Sequence, residues 1–167
     1  MELVGRMMDG SIPMTPGGPR RGFFGFRVSQ GDKIAQLEKV PLLAECSRRQ
    51  LRAVARISEV REVAEGAVIT RAGDPGDEFF LIVDGRARVE VSARKRPRLG
   101  PGEFFGEMSL LDGEPRSATI VAETPMRLLV IPRREFSRLL AEVPDLMRSL
   151  LAVLSRRLRQ AEQTVSA

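Results

Sequence analysis

A chain of 167 residues, 43% hydrophobic and 29% charged, has room for one domain with a sizeable core and little beyond it. With no histidine and a single cysteine, Cys46, it has no histidine-based triad, no internal disulfide and no soft-ligand cluster for zinc, so neither a catalytic site nor a metal site is expected. The net charge of +5 suits an anionic partner, and the longest uninterrupted aliphatic run, Leu128 to Ile131, is far too short to span a membrane.

Met1 to Arg6 is not followed by an apolar stretch of the length a secretory signal needs, which makes the cytoplasm the expected compartment. Glycine and proline recur so often over residues 1–30 that no regular element is expected there, and the segment reads as a flexible tail. Within it, Phe23, Phe24 and Phe26 lie beside Arg20, Arg21 and Arg27 and could dock on the domain or on a partner. A helical pattern begins at Asp32, with Ile34 and Leu37 on one face, and should stop at Val40, because a residue before proline avoids the helical region. Ser47 and Gln50 have capping-box spacing ahead of a second helix, whose apolar stripe is Leu51, Val54 and Ala55.

After Ile57 the period changes to two. Turn residues at Glu65-Gly66, Gly73-Asp74-Pro75-Gly76, Asp84-Gly85 and Gly100-Pro101-Gly102 cut the chain into short runs. Arg86 to Ser92 alternates most cleanly, and Asp84-Gly85 predicts a tight hairpin pairing it with Phe79 to Val83. Further strands are expected over Val60 to Ala64, Val68 to Arg71, Ala118 to Ala122 and Arg127 to Ile131. Turn spacing of this kind favours a closed double-sheet roll. The chain then returns to helix, first around Phe136, Leu139 and Leu140. A longer helix opens near Pro144 and Asp145, with Leu146, Leu150, Leu154 and Leu158 at four-residue spacing and Met147 and Leu151 widening the stripe. That surplus apolar surface is expected to cover a ligand or to pair with another subunit.

The chemistry is concentrated in Gly102 to Ile120. Gly106 permits close backbone approach just before Glu107, Met108, Ser109, Leu110 and Leu111, which are expected to make one helical turn. Arg116 carries a planar guanidinium that can engage two oxygens of a small anion, and amides at a helix start add further donors. Ser117 can offer a hydroxyl to the same anion, and Pro115 restricts the backbone ahead of the arginine. A carboxylate at Glu107 would be repelled by an anion but is suited to accept from a sugar hydroxyl.

Phe105-Gly106-Glu107-Met108-Ser109-Leu110-Leu111 followed by Pro115-Arg116-Ser117-Ala118-Thr119 resembles the phosphate-binding cassette of cyclic-nucleotide-binding domains, the family of kinase regulatory subunits, gated channels and the catabolite activator protein. The resemblance covers about residues 31–163, and Ser109 departs from it, since alanine is more usual there. It implies an α+β fold: a double-stranded β-helix, or jelly-roll, barrel over 59–131, with flanking N-terminal helices over 32–57 and two C-terminal helices over 133–163. It further implies that Glu107 binds the ribose 2′-hydroxyl, that Arg116 and Ser117 bind the cyclic phosphate, and that the backbone around Gly106, Met108, Ser109 and Ala118 completes the site. The last helix is expected to act as a lid, with Arg156 and Arg157 as candidates for capping the base. The ligand expected is cAMP, with cGMP as the alternative; no separate cofactor is expected.

Three other readings stay open or fall away. Gly100-Pro101-Gly102 with Gly106 has the wrong spacing for a dinucleotide fingerprint, and the chain lacks the lysine-bearing phosphate loop of nucleotide hydrolases. Arg94, Lys95, Arg96 and Arg98 form a basic run read as a solvated loop tip, with a nucleic-acid or membrane adaptor as its functional alternative. Arg148, Arg156, Arg157 and Arg159 are expected on the wet face of the last helix, and Cys46 as a small hydrophobe. Only eight residues follow Arg159, so direct DNA reading through a following helix-turn-helix is not expected. The output is therefore expected to pass through a homodimer made by the C-terminal helix or through a separate effector; a domain with a nonfunctional cassette is the structural alternative.

Overall fold

The computed structural model describes residues 29–90 and 97–165. The aromatic cluster of the N-terminal segment, most of the basic run and the last two residues of the expected Arg86 to Ser92 strand lie outside them.

The chain enters through helix α1 (Gln30–Leu37), a 3-10 turn at Pro41–Leu43 and helix α2 (Arg48–Ile57). Reciprocal capping boxes fix both helix starts: Ser29 with Asp32, and Ser47 with Gln50. The first of these was missed in the sequence pattern, because aspartate rather than Glu or Gln stands at the third position. α1 stops at Leu37, before Val40, which is extended and caps the 3-10 turn as a pre-proline residue should.

Among the described residues eight strands follow: β1 (Glu59–Val63), β2 (Val68–Thr70), β3 (Glu78–Asp84), β4 (Ala87–Glu90), β5 (Arg98–Leu99), β6 (Phe104–Phe105), β7 (Thr119–Ala122) and β8 (Met126–Pro132). They form two four-stranded antiparallel sheets, ordered β1-β8-β3-β6 and β2-β7-β4-β5. The expected hairpin is therefore absent: β3 and β4 belong to different sheets, β3 pairing with β8 and β6, β4 with β7 and β5. A tight turn of that type needs two consecutive positive φ angles. Gly85 has φ +89°, but among the described residues only glycines have positive φ, so Asp84 does not contribute one. Instead the chain crosses from one sheet to the other there.

The layers explain the hydrophobic pattern. β3 and β8 are buried on both faces. Phe80, Ile82, Leu128 and Val130 face the interior of the roll with Ala87, Phe105, Ile120, Ala122 and Met126. Phe79, Leu81, Leu129 and Ile131 face outward to the helices. Strands covered on both sides read as continuous apolar runs rather than alternating ones.

Between β6 and β7 lies helix α3 (Glu107–Asp112), and the chain ends in α4 (Arg133–Glu142) and α5 (Pro144–Val165). Phe136, Leu139, Leu140, Leu146 and Leu150 pack on the outer face of the first sheet with Leu37, Leu43 and Val54. Cys46 sits half-buried against this layer. The four-leucine stripe does not stay buried along its length: Leu146 and Leu150 are core, whereas Leu158 is 62% exposed. Four-residue spacing overshoots a helical turn by about 40° per step, so the stripe rotates off the core.

Candidate functional site

β6 is two residues long and points both ways. Phe105 stacks on Phe80 inside the roll at a centroid distance of 4.8 Å, and Phe104 turns toward the helices. Gly106 then reverses the chain with φ +87° into α3. A Cβ at that position would lie 2.8 Å from the Glu78 carbonyl oxygen and 2.9 Å from Arg116 Nη1, so the residue needs glycine for both conformation and space. α3 ends at Gly113, in the same backbone region, whose amide donates to the Ser109 carbonyl at 3.0 Å.

Arg116 returns alongside the loop before β3. Its amide donates to Asp74 O at 2.7 Å, and its carbonyl accepts from the Gly73 amide at 2.8 Å. With the backbone so pinned, the side chain runs inward: Nη1 donates to Gly106 O and Nη2 to Glu78 O, both at 2.8 Å. The guanidinium lies 5.6 Å from the Phe80 ring centroid and the residue is 9% exposed. Burial pulls its pKa below the ordinary arginine value, countered by Glu78, Asp77 and Glu107; a guanidinium nevertheless stays charged at any working pH.

Glu107, the first residue of α3, is 4% exposed. Burial pushes its carboxyl above the ordinary range, while its own backbone amide, then Arg157 and then Arg116, pull it back. A folded pKa above the unfolded one means the folded state holds the proton more tightly. The contribution of Glu107 to stability therefore falls as pH rises from the unfolded value through the raised one.

The remaining expected residues divide. Met108 is half exposed and Ser117 is exposed, with Ser117 Oγ 3.5 Å from Met108 Sδ; Ala118 is partly covered and Ser109 buried. Arg156 is exposed on α5. Arg157 leaves the wet face assigned to it: Nη2 donates to Phe104 O at 2.7 Å, Nη1 approaches Glu107 Oε1 at 3.4 Å, and the guanidinium lies 4.4 Å from the Phe104 ring centroid. Gly76 was read only as turn punctuation, yet a Cβ there would stand 2.6 Å from Arg116 Nε. Close approach of two distant segments leaves no local signal in a sequence.

The site thus sets a buried carboxylate and a buried guanidinium at one helix start, whose first amides have no partner within the helix. Such a set can take a ligand offering a hydroxyl to the acid and an anionic group to the arginine and amides.

A family model described as the cyclic nucleotide-binding domain matches residues 60–143. A cyclic nucleotide-gated potassium channel of Mesorhizobium japonicum is 36% identical over 155 residues, which are 86% of this chain and 43% of that protein. The catabolite activator protein of Thermus thermophilus superposes with a TM-score of 0.69 at 32% identity, covering 75% of this chain and 62% of that one. PKAR CBD2 bound to Sp-2Cl-cAMPS superposes with a TM-score of 0.67 at 26% identity, covering 80% and 94%. The chain spans less than half the length of the curated relatives it matches. Among the described residues, no helix is long and apolar enough to cross a membrane.

Proposed function

Because the chain belongs to the cyclic nucleotide-binding domain family, we propose that it is a regulatory module that takes cAMP between Glu107 and Arg116 and releases it unchanged. The observation that carries this reading is the pairing of two buried, oppositely charged groups at the start of α3, with Arg116 bonded to the carbonyl of the residue preceding Glu107. Arg116 holds the cyclic phosphate with the amides of Met108 and Ser109, Ser117 adds a hydroxyl, and Glu107 accepts from the ribose 2′-hydroxyl. The cAMP analogue held by a related domain favours the adenine nucleotide. The exposed Ser117 hydroxyl makes cGMP the competing ligand, and a head-to-head calorimetric titration of the two decides.

Glu107→Gln tests the sugar contact. The amide cannot ionise, so the unliganded Tm of the variant is expected to fall less with rising pH than that of the wild type, whose buried carboxyl loses stability through its raised pKa. Affinity for cAMP should drop while affinity for 2′-deoxy-cAMP changes far less, because the 2′-hydroxyl then meets a neutral amide oxygen, a weaker acceptor than the carboxylate. Equal losses for both ligands would reassign Glu107.

Signal output runs through α5 in this reading. Arg157 touches the same carboxylate that the ribose would use, so ligand arrival and the seating of α5 are coupled. Beyond the core, Met147, Leu151, Leu154 and Leu158 follow each other at alternating four- and three-residue steps, with Met147, Leu151 and Leu158 at 42%, 58% and 62% exposure. Ala161 and Val165 continue the series, the spacing of a two-helix seam. Self-pairing through that seam predicts a concentration-dependent dimer in sedimentation, abolished by Leu151→Glu with Leu158→Glu. A chain that is monomeric at all concentrations assigns the seam to a separate effector. A basic adaptor using the Arg94 to Arg98 run would instead lose its partner at moderate salt and ignore Arg116→Ala.

A further inference from the structure

Arg133 opens α4 directly after β8, and its amide donates to Asp77 O at 2.7 Å. Its guanidinium turns back toward the site. Nη2 donates to Gly76 O at 2.6 Å and to Ser109 O at 3.1 Å. These carbonyls belong to the two walls that enclose Arg116. A Cβ on Gly76 would meet Arg116 Nε and Ser109 Cβ, both at 2.6 Å, so the loop before β3 approaches the arginine and the middle of α3 too closely to admit a side chain there. Ser109 itself is 2% exposed. Its carbonyl lies in the last turn of α3, where a second donor and a positive charge are both favourable.

The other contact of Arg133 is weaker. Nε stands 3.7 Å from Asp77 Oδ1, whose side chain is 79% exposed, and a pair of that kind contributes little. What distinguishes the residue is therefore one nitrogen shared by two carbonyls from segments more than thirty positions apart in sequence. Nothing in the chemistry assigned to the site uses it.

We propose that Arg133 is a positioning residue for nucleotide binding: by clamping Gly76 O to Ser109 O it sets where the Arg116 guanidinium lies relative to the amides of α3. The inference rests on the reading of Arg116 as the phosphate ligand. Arg133 touches no ligand in this arrangement and acts only through Arg116 and α3.

The test is a double-mutant cycle on the full chain, titrating cAMP into wild type, Arg133→Met, Arg116→Lys and the double variant. Arg133→Met is expected to weaken binding by roughly tenfold or more in the wild-type background but less than about threefold in the Arg116→Lys background, where the fork to be placed is gone. Arg133→Lys, whose ammonium can donate to both carbonyls, should recover most of the affinity. If Arg133→Met does not fold, Arg133→Gln takes its place in the same cycle. Equal losses in both backgrounds, or unchanged affinity in folded variants, would overturn the proposal. Wild-type protein that binds neither cAMP nor cGMP would instead overturn the reading of Arg116 on which it stands.

Discussion

Arg116→Ala is expected to lower cAMP affinity by roughly a hundredfold or more. A charge-assisted bond lost from a ligand contributes about 1.5–3 kcal/mol, and a phosphate left buried without its cation costs about 3–5 kcal/mol; each 1.4 kcal/mol is a factor of about ten. The same substitution also strips the donors from Gly106 O and Glu78 O and removes the cation lying over Phe80. Each orphaned buried carbonyl costs about 1–3 kcal/mol unless water enters the space vacated, so the unliganded Tm should fall too. Calorimetry is therefore paired with thermal melts, and Arg116→Lys separates the two effects: it keeps a positive charge but cannot hold two carbonyls and two phosphate oxygens in one plane. Wild-type-like cAMP affinity in folded Arg116→Ala would remove the phosphate site from the proposal.

Gly106→Ala should be nearly as severe for a different reason. A non-glycine residue at φ +87° costs about 1–2 kcal/mol, and the added methyl would meet Glu78 O at 2.8 Å, Arg116 Nη1 at 2.9 Å and Phe80 Cδ2 at 3.0 Å. Overpacking of that kind costs about 1–3 kcal/mol, giving a total loss of roughly 2–5 kcal/mol. Two of those three atoms belong to the bonds that hold Arg116, Glu78 O accepting from Nη2 and Nη1 donating to Gly106 O, so the methyl also pushes the guanidinium from its place. Denaturant unfolding and cAMP titration should thus fail together. A variant with unchanged midpoint and affinity would mean that the turn relaxes freely and does not position the arginine.

How far the sequence carried depends on whether a feature is local. The capping box at Ser47 and Gln50, the extended Val40 before proline, and the glycine that opens α3 are local, and each is visible in a few consecutive residues. β3 and β8 were legible as runs where burial on both faces demands continuous apolar residues. β5 and β6 were not: two residues carry no period. The hairpin at Asp84-Gly85 failed because its dipeptide fits a tight turn, whereas the partner of each strand is chosen by sheet-wide packing.

The site divides along the same line. Glu107 and Arg116 were singled out as candidates because their flanking residues make a specific paired pattern over a short span. The contacts of Arg116 with Glu78 O, of Arg157 with Phe104 O and of Arg133 with Gly76 O link positions 38, 53 and 57 residues apart, and no periodicity or spacing records them.

By itself, then, the sequence determined the order of helix, roll and helix, the family pattern, and which acid and arginine stand as candidates, because backbone preference and hydrophobic period act within a few residues of chain. Only the tertiary structure decided which strands pair, that Arg157 rather than Arg156 reaches the acid, and which carbonyls hold Arg116 in place. Those outcomes follow from packing between segments far apart in the chain, where a partner is selected by what space and which unpaired donors remain once the layers close.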